Sequence, residues 1–202
     1  MKAYKETIRT YYKYVYDSFS QPVLSANGTI GENAFAVLPS AQDNSYPCWK
    51  AFDNNTSTFW CTAAKTLANQ NIVMYNPVQL NVTGISITNK NNNNAAITAG
   101  TVYGSDDNLN WNELTTFTNS VTTALSVWSI DLSGNTEYYK YYKLAITSSG
   151  GASNNRGAIT EVSLTATERT VEESTSSDYD FYIDTYNYKA YEKNGTYKAF
   201  NV

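Results

Sequence analysis

Apolar and polar residues alternate with period two in several separate stretches of this chain, and that pattern leaves little room for helices. The clearest run is Leu80-Asn81-Val82-Thr83-Gly84-Ile85-Ser86-Ile87-Thr88. Leu125–Leu132, Tyr142–Ile146 and Ile159–Ala166 repeat the same rhythm. A strand sends successive side chains to opposite faces, so period-two alternation buries one face and wets the other. Ile72–Tyr75 adds a short apolar run, and no long stretch of helical period competes. Short strands at regular spacing, with turn signals between them, predict an antiparallel β-sandwich.

Composition supports the same class. Hydrophobic residues make up 42% of the 202, enough for a packed core, while charged residues supply only 16%. Asn, Thr, Ser and eighteen tyrosines must therefore carry the surface. Aromatic and β-branched residues suit a pleated surface, and Asn and Ser suit turns. Tyrosine also offers wide contact at low entropic cost, as at binding surfaces. The net charge of -4 argues against a phosphate-binding face, so nucleic acid is not an expected partner. The chain has no histidine, which removes the commonest general base and the usual zinc ligand. Cys48 and Cys61 flank one polar loop, and the sequence leaves open a bridge or two buried thiols. No apolar run is long enough for a membrane span, and the N-terminus lacks the apolar core of a secretory signal.

Three zones follow along the chain. Residues 1–20 form a Tyr- and Lys-rich extension, read as an exposed strand from Tyr12 to Tyr16 with a strand or helical turn before it. Residues 21–168 hold the sandwich. Residues 169–202 begin as an acidic linker, Glu172 to Asp178, and end in a Tyr-rich hairpin around Asn194-Gly195, a pair that accepts the positive φ angles of a tight turn. A lone hairpin is marginal in water, so the Tyr-rich ends should pack on the sandwich, on each other or on another subunit.

Ala51–Cys61, AFDNNTSTFWC, is the richest local signal. Asp53, Asn55 and Thr58 can turn the chain through side-chain-to-backbone hydrogen bonds, and the same oxygens suit a hard cation such as calcium. Phe59 and Trp60 would pin the loop to the interior.

Several landmarks, in order, resemble the discoidin or coagulation-factor type C family, which includes galactose-binding carbohydrate modules. Ala51–Trp60 is similar to its A-x-D-G-N-x-x-T-x-W segment, with Asn54 in place of the glycine. Tyr103–Trp111 is similar to its Y-x-S-x-D-G-x-x-W hairpin, Tyr141–Leu144 to its R-Y-v-r-l strand, and Ala158–Val162 to its last strand. The resemblance implies an eight-stranded jelly-roll sandwich with binding loops at one end. It implies a structural calcium held by the Asp53 and Glu161 side chains, completed by Asn55, Thr58 and nearby carbonyls. The alternative is that Asp53 and Asn55 only cap a turn while Glu161 is solvated.

For a ligand at the loop end, Arg156 can make bidentate bonds to a sugar diol or carboxylate, and Asn155, Asn89 and Lys90 can line the same end. Tyr46 and Trp49 can stack on a sugar face, although Trp49 fits a core position equally well, and Trp111 and Trp128 read as core. Sugar-binding relatives often use a histidine here, and this chain has none. The flanks and the start of the body, Ser20–Gly31, are similar to discoidin-type domains of bacteriophage tail and fibre proteins. The expected function is thus a non-catalytic virion protein (tail, fibre or capsid decoration) made in the host cytoplasm, binding host-surface glycan and assembling with other virion proteins or with itself. Two alternatives stand beside it: a structural spacer without a ligand, and a carbohydrate-binding module of an extracellular bacterial protein.

Overall fold

The computed structural model describes residues 2–63, 67, 70–91, 95–150, 156–184, 189–191 and 197–198, with side chains described for 10–63, 67, 70–91, 95–150 and 156–174. The chain is all-β. Its strands are β1 (Lys2–Ser18), β2 (Ala36–Pro39), β3 (Trp60–Cys61), β4 (Gln70–Asn89), β5 (Ile97–Ser105), β6 (Asn112–Thr118), β7 (Val127–Asp131), β8 (Tyr139–Ser149), β9 (Ala158–Asp184), β10 (Lys189–Tyr191) and β11 (Tyr197–Lys198). The helical element among the described residues is a single 3-10 turn, Cys48–Ala51. No described helix is long and apolar enough to cross a membrane.

The long strand β4 organises the body. Its first part, Gln70–Tyr75, pairs with β2 on one side and β8 on the other. β8 continues to β5, and β5 to β6. Its second part, from Gln79 onward, pairs with β9 and, from Gly84, with β7, keeping β8 at Leu80/Tyr139, and β3 adds to β9. Every one of these pairings is antiparallel. The change of partner falls at Asn76-Pro77-Val78, where the register with β8 shifts between Tyr75 and Leu80. Proline lacks the N–H that a ladder needs, so this is where a strand bends most readily.

A second irregularity corrects the simple alternation. Leu80 and Val82 face the core, and so do Ile85 and Ile87, which breaks period two between Val82 and Ile85. The register of β4 against β9 shifts at that point, so a bulge absorbs the extra residue and keeps both pairs inside. Ile72, Met74, Leu144 and Ile146 face them from the other layer, with Phe52 and Trp60 filling the same cluster. The Tyr142 hydroxyl donates to Leu80 O at 2.7 Å and accepts from Val82 N at 3.1 Å. That phenol ties one layer to the other just past the bend. Burial pushes its pKa up to about 12.

The chain divides into two compact units. One is the body, Tyr16–Thr170. The other joins Met1–Val15 to Val171–Val202. Within it β9 pairs with β10 at Asp184/Lys189, Ile183/Ala190 and Tyr182/Tyr191, and β10 pairs with β11. β1 also pairs with β9. The acidic stretch expected as a linker, Glu172 to Asp178, is instead part of the continuous strand β9. The first residues likewise extend as strand rather than turning as helix. The Asn194-Gly195 turn lies outside the described residues, although the strands on either side of it pair as a hairpin would.

Candidate functional site

The 3-10 turn Cys48–Ala51 delivers the chain into the polar loop, and buried Phe52 and Trp60 anchor its two ends. Asn54 takes a left-handed φ of 53°, a conformation that asparagine tolerates better than most residues. Asn55 N donates to Asp53 Oδ1 at 3.0 Å and to Glu161 Oε1 at 2.6 Å. Thr58 Oγ1 donates to Asp53 Oδ2 at 2.7 Å, and Ser57 N donates to the Asn55 side-chain oxygen at 3.0 Å. Four residues from two remote segments, Asp53, Asn55, Thr58 and Glu161, thus share one cluster.

Glu161 reaches the loop because β9 is irregular at its start. Thr88 pairs with Glu161 and Asn89 with Ile159, which leaves Thr160 out of register. Ile159 and Val162 both stay in the core, and Glu161 turns toward the loop. Burial, and then the neighbouring Asp53 carboxylate, push the Glu161 carboxyl up to about 7. Among the described residues neither carboxylate makes an ion pair. Nor do any three His, Cys, Asp or Glu side chains gather there as a ligand set. An ion at this point would rely on two carboxylates plus neutral hydroxyl, amide and carbonyl oxygens. Such an all-oxygen set fits calcium and disfavours zinc.

The same loop ends in Phe59, which opens a second cluster. The Tyr46 ring stacks on Phe59 with centroids 4.3 Å apart and planes 18° apart. Lys90 Nζ sits 4.3 Å from the Phe59 centroid, within cation–π range. Asp43 N donates to Cys61 O and Cys61 N to Tyr46 O, fixing the turn that carries Tyr46. Arg156 Nη1 meets Asp43 Oδ2 at 3.0 Å, while Ser45 N donates to Asp43 Oδ1. The Ser45 N–H, with Arg156 next, holds the Asp43 carboxyl below its ordinary value. Tyr46 remains 37% exposed, so this end offers an open aromatic face beside an oriented guanidinium–carboxylate pair.

Of the other predicted residues, Asn89 is excluded as a ligand contact. It is buried, its amide donates to Val121 O and Thr123 O, and its oxygen accepts from Trp128 Nε1. Trp49 is half-buried against the core, with its backbone N–H on Asn27 Oδ1. Asn155 lies outside the described residues. Trp128 packs against the core, whereas Trp111 departs from the core expectation and covers Lys143 Nζ at 4.0 Å. Cys48 and Cys61 are buried free thiols. Asp43 and Phe59 were not among the sequence candidates for a ligand. A cleft of about 440 Å³ opens between β6 and the turn before β8, near Leu132 and Tyr139, and none of the predicted residues lines it.

The fold of the body has matches among known proteins. Residues 36–162 match the F5/8 type C domain model, and the chain belongs to that family. Its structure is similar to a CBM32 module from a family 31 glycoside hydrolase of Clostridium perfringens, with 19% identity over 66% of this chain and 88% of that one and a TM-score of 0.54. It is also similar to the family 32 module of C. perfringens NanJ in complex with galactose, at 16% identity over 67% and 93% of the chains, TM-score 0.53. The CBM32 of AlyQ, in complex with 4,5-unsaturated mannuronic acid, is 24% identical over 64% and 92%, TM-score 0.51. A comparison with curated protein sequences gives no match.

Proposed function

We propose that this chain is a non-catalytic carbohydrate-binding module whose ligand rests on the exposed face of Tyr46 and hydrogen-bonds to Arg156. The observation that carries the reading is the pairing of a fixed aromatic platform with the Asp43–Arg156 couple on adjoining loops. A pyranose has an apolar face that stacks on such a ring, and its hydroxyls suit a guanidinium with donors to spare. Asp43 orients that guanidinium. The galactose and uronate seen in similar structures support the same ligand class.

Asp53 and Glu161, with oxygens of Asn55 and Thr58, would hold a structural calcium. Bound there, the ion neutralises two facing carboxylates and stiffens the loop that supplies Phe59. As to setting, the exposed tyrosines of β1, Tyr11, Tyr12 and Tyr14, favour a module built into a larger assembly such as a phage fibre or capsid decoration. The bacterial modules of similar fold favour an extracellular protein instead. Electron microscopy of purified particles labelled for this chain separates these settings.

The binding reading is tested by isothermal titration with galactose and by a printed glycan array. Arg156→Ala and Tyr46→Ala should each weaken binding at least tenfold while leaving the melting temperature within about 2 °C, since both residues are partly exposed. Binding that survives both substitutions refutes the site.

A further inference from the structure

The outer edge of β1 is open to a further strand. β1 pairs with β9, and no other described strand pairs with it. A long open edge is a template for a second chain, and natural edge strands discourage that with bulges, prolines or a lone charged residue. The end of β1 holds no proline and reads Tyr12-Lys13-Tyr14-Val15-Tyr16-Asp17-Ser18. Lys13 and Asp17 are exposed, and so are Tyr12, Tyr14 and Tyr16, at 69%, 55% and 55%. Among the described residues neither Lys13 nor Asp17 makes an ion pair. They cannot make one with each other, because four steps along a strand hold them about 13 Å apart. A lysine alone on this edge would repel a copy of itself, but Asp17 supplies the charge that answers it.

The segment is its own complement. Laid antiparallel against a second copy about a two-fold axis at Val15, Lys13 stands opposite Asp17 of the copy, and Asp17 opposite the copy's Lys13. Val15 meets Val15 between them, and on the other face Tyr14 meets Tyr16 twice. Opposite charges and aromatic pairs placed directly across two strands stabilise a sheet, and an isologous dimer makes each such contact twice. The backbone permits this register. Phe19 N donates to Ala166 O, so a regular β1 turns the groups of its odd residues to β9 and those of Tyr12, Tyr14 and Tyr16 to the outer edge. About Val15, even residues stand opposite even ones, so outward groups meet outward groups. A register moved by one residue loses that match, and one moved by two loses both charge pairs. We propose that β1 is a homodimerisation edge, on which two copies of this chain pair antiparallel about Val15 with a Lys13–Asp17 pair on either side of the axis. The proposal stands apart from the carbohydrate-binding reading, since no residue of the Tyr46–Arg156 end takes part in it.

The test is analytical ultracentrifugation of the full chain across a wide range of concentration. Wild type should sediment as a dimer that dissociates on dilution. Lys13→Asp sets aspartate against Asp17 on both sides of the axis, and Asp17→Lys sets lysine against Lys13. Each should weaken the dimer at least about tenfold. Mixed in equal amounts, the two variants should dimerise again, because each supplies the charge that the other lacks. Both residues are exposed, so the melting temperatures should stay within about 2 °C of wild type. A wild type that is monomeric at every concentration overturns the proposal and leaves the edge to a different partner. A dimer that both reversals leave intact overturns it too, and so does a mixture that fails to re-form one. Should either reversal fail to fold, Tyr12→Pro carries the test. It removes an outward N–H, which an edge strand tolerates, and should abolish the dimer; a dimer that survives it overturns the proposal.

Discussion

Raising the pH of metal-free protein from 5 to 8 should lower its stability, and Glu161 should be the reason. This carboxyl is pushed up to about 7 from an ordinary value of 4.5. An acid whose pKa is higher in the folded state favours folding when protonated. Its contribution is complete below about pH 4.5 and is lost as the pH rises through about 7. The shift corresponds to a ceiling of roughly 3 kcal/mol, at about 1.4 kcal/mol per unit. Glu161 is only partly buried, so solvent screening reduces this to about 1–2 kcal/mol. For a body of this size that is roughly 3–6 °C in melting temperature. The carboxyls held low, Asp43, Asp107 and Asp131, act in the opposite sense but are ionised throughout this window. The assay is thermal unfolding in chelator at close pH steps, on wild type and Glu161→Gln. Wild type should show the decline, and the glutamine variant should be flat. With calcium in excess, the wild-type decline should vanish, because an ion binding only the folded, ionised pair stabilises it by mass action. A slope of the same size in Glu161→Gln would refute the assignment to this residue.

Two substitutions in the interior follow. Trp60→Ala should destabilise by ~3–5 kcal/mol in denaturant unfolding, because the side chain is fully buried at the base of the Asp53 loop; a near-neutral result would mean the loop does not depend on this anchor. Tyr142→Phe should cost about 1–3 kcal/mol with little change in denaturant slope, because it strips hydrogen bonds from Leu80 O and Val82 N inside the core.

The strands were legible because their signal is local: alternation in Leu80–Thr88 or Ile159–Ala166 needs no partner to be read. The bulge between Val82 and Ile85 was not read, because Leu80–Thr88 passes for simple alternation and the extra residue shows only in the register against β9. The loop cluster was legible through composition and resemblance together, since Asp53, Asn55 and Thr58 lie close in sequence while Glu161 is 106 residues from Asn55. Asp43 escaped notice because it stands in an unpatterned polar stretch and its partner, Arg156, is 113 residues away. Asn89 was misread because an amide just past a strand resembles a loop residue. Only the three-dimensional arrangement shows it spent on Val121, Thr123 and Trp128. The strand character of residues 169–184 was hidden for a similar reason: acidic and hydroxyl residues pair as strand only when another strand is supplied.

Because β4 lies in both layers, the two halves of the sandwich are joined along one backbone. Neither layer can peel away as a separate block without tearing the ladder on one side of Pro77. Amide protons around Met74 and around Ile85 should therefore exchange with solvent at a common slow rate, set by opening of the whole body rather than by breathing of either layer.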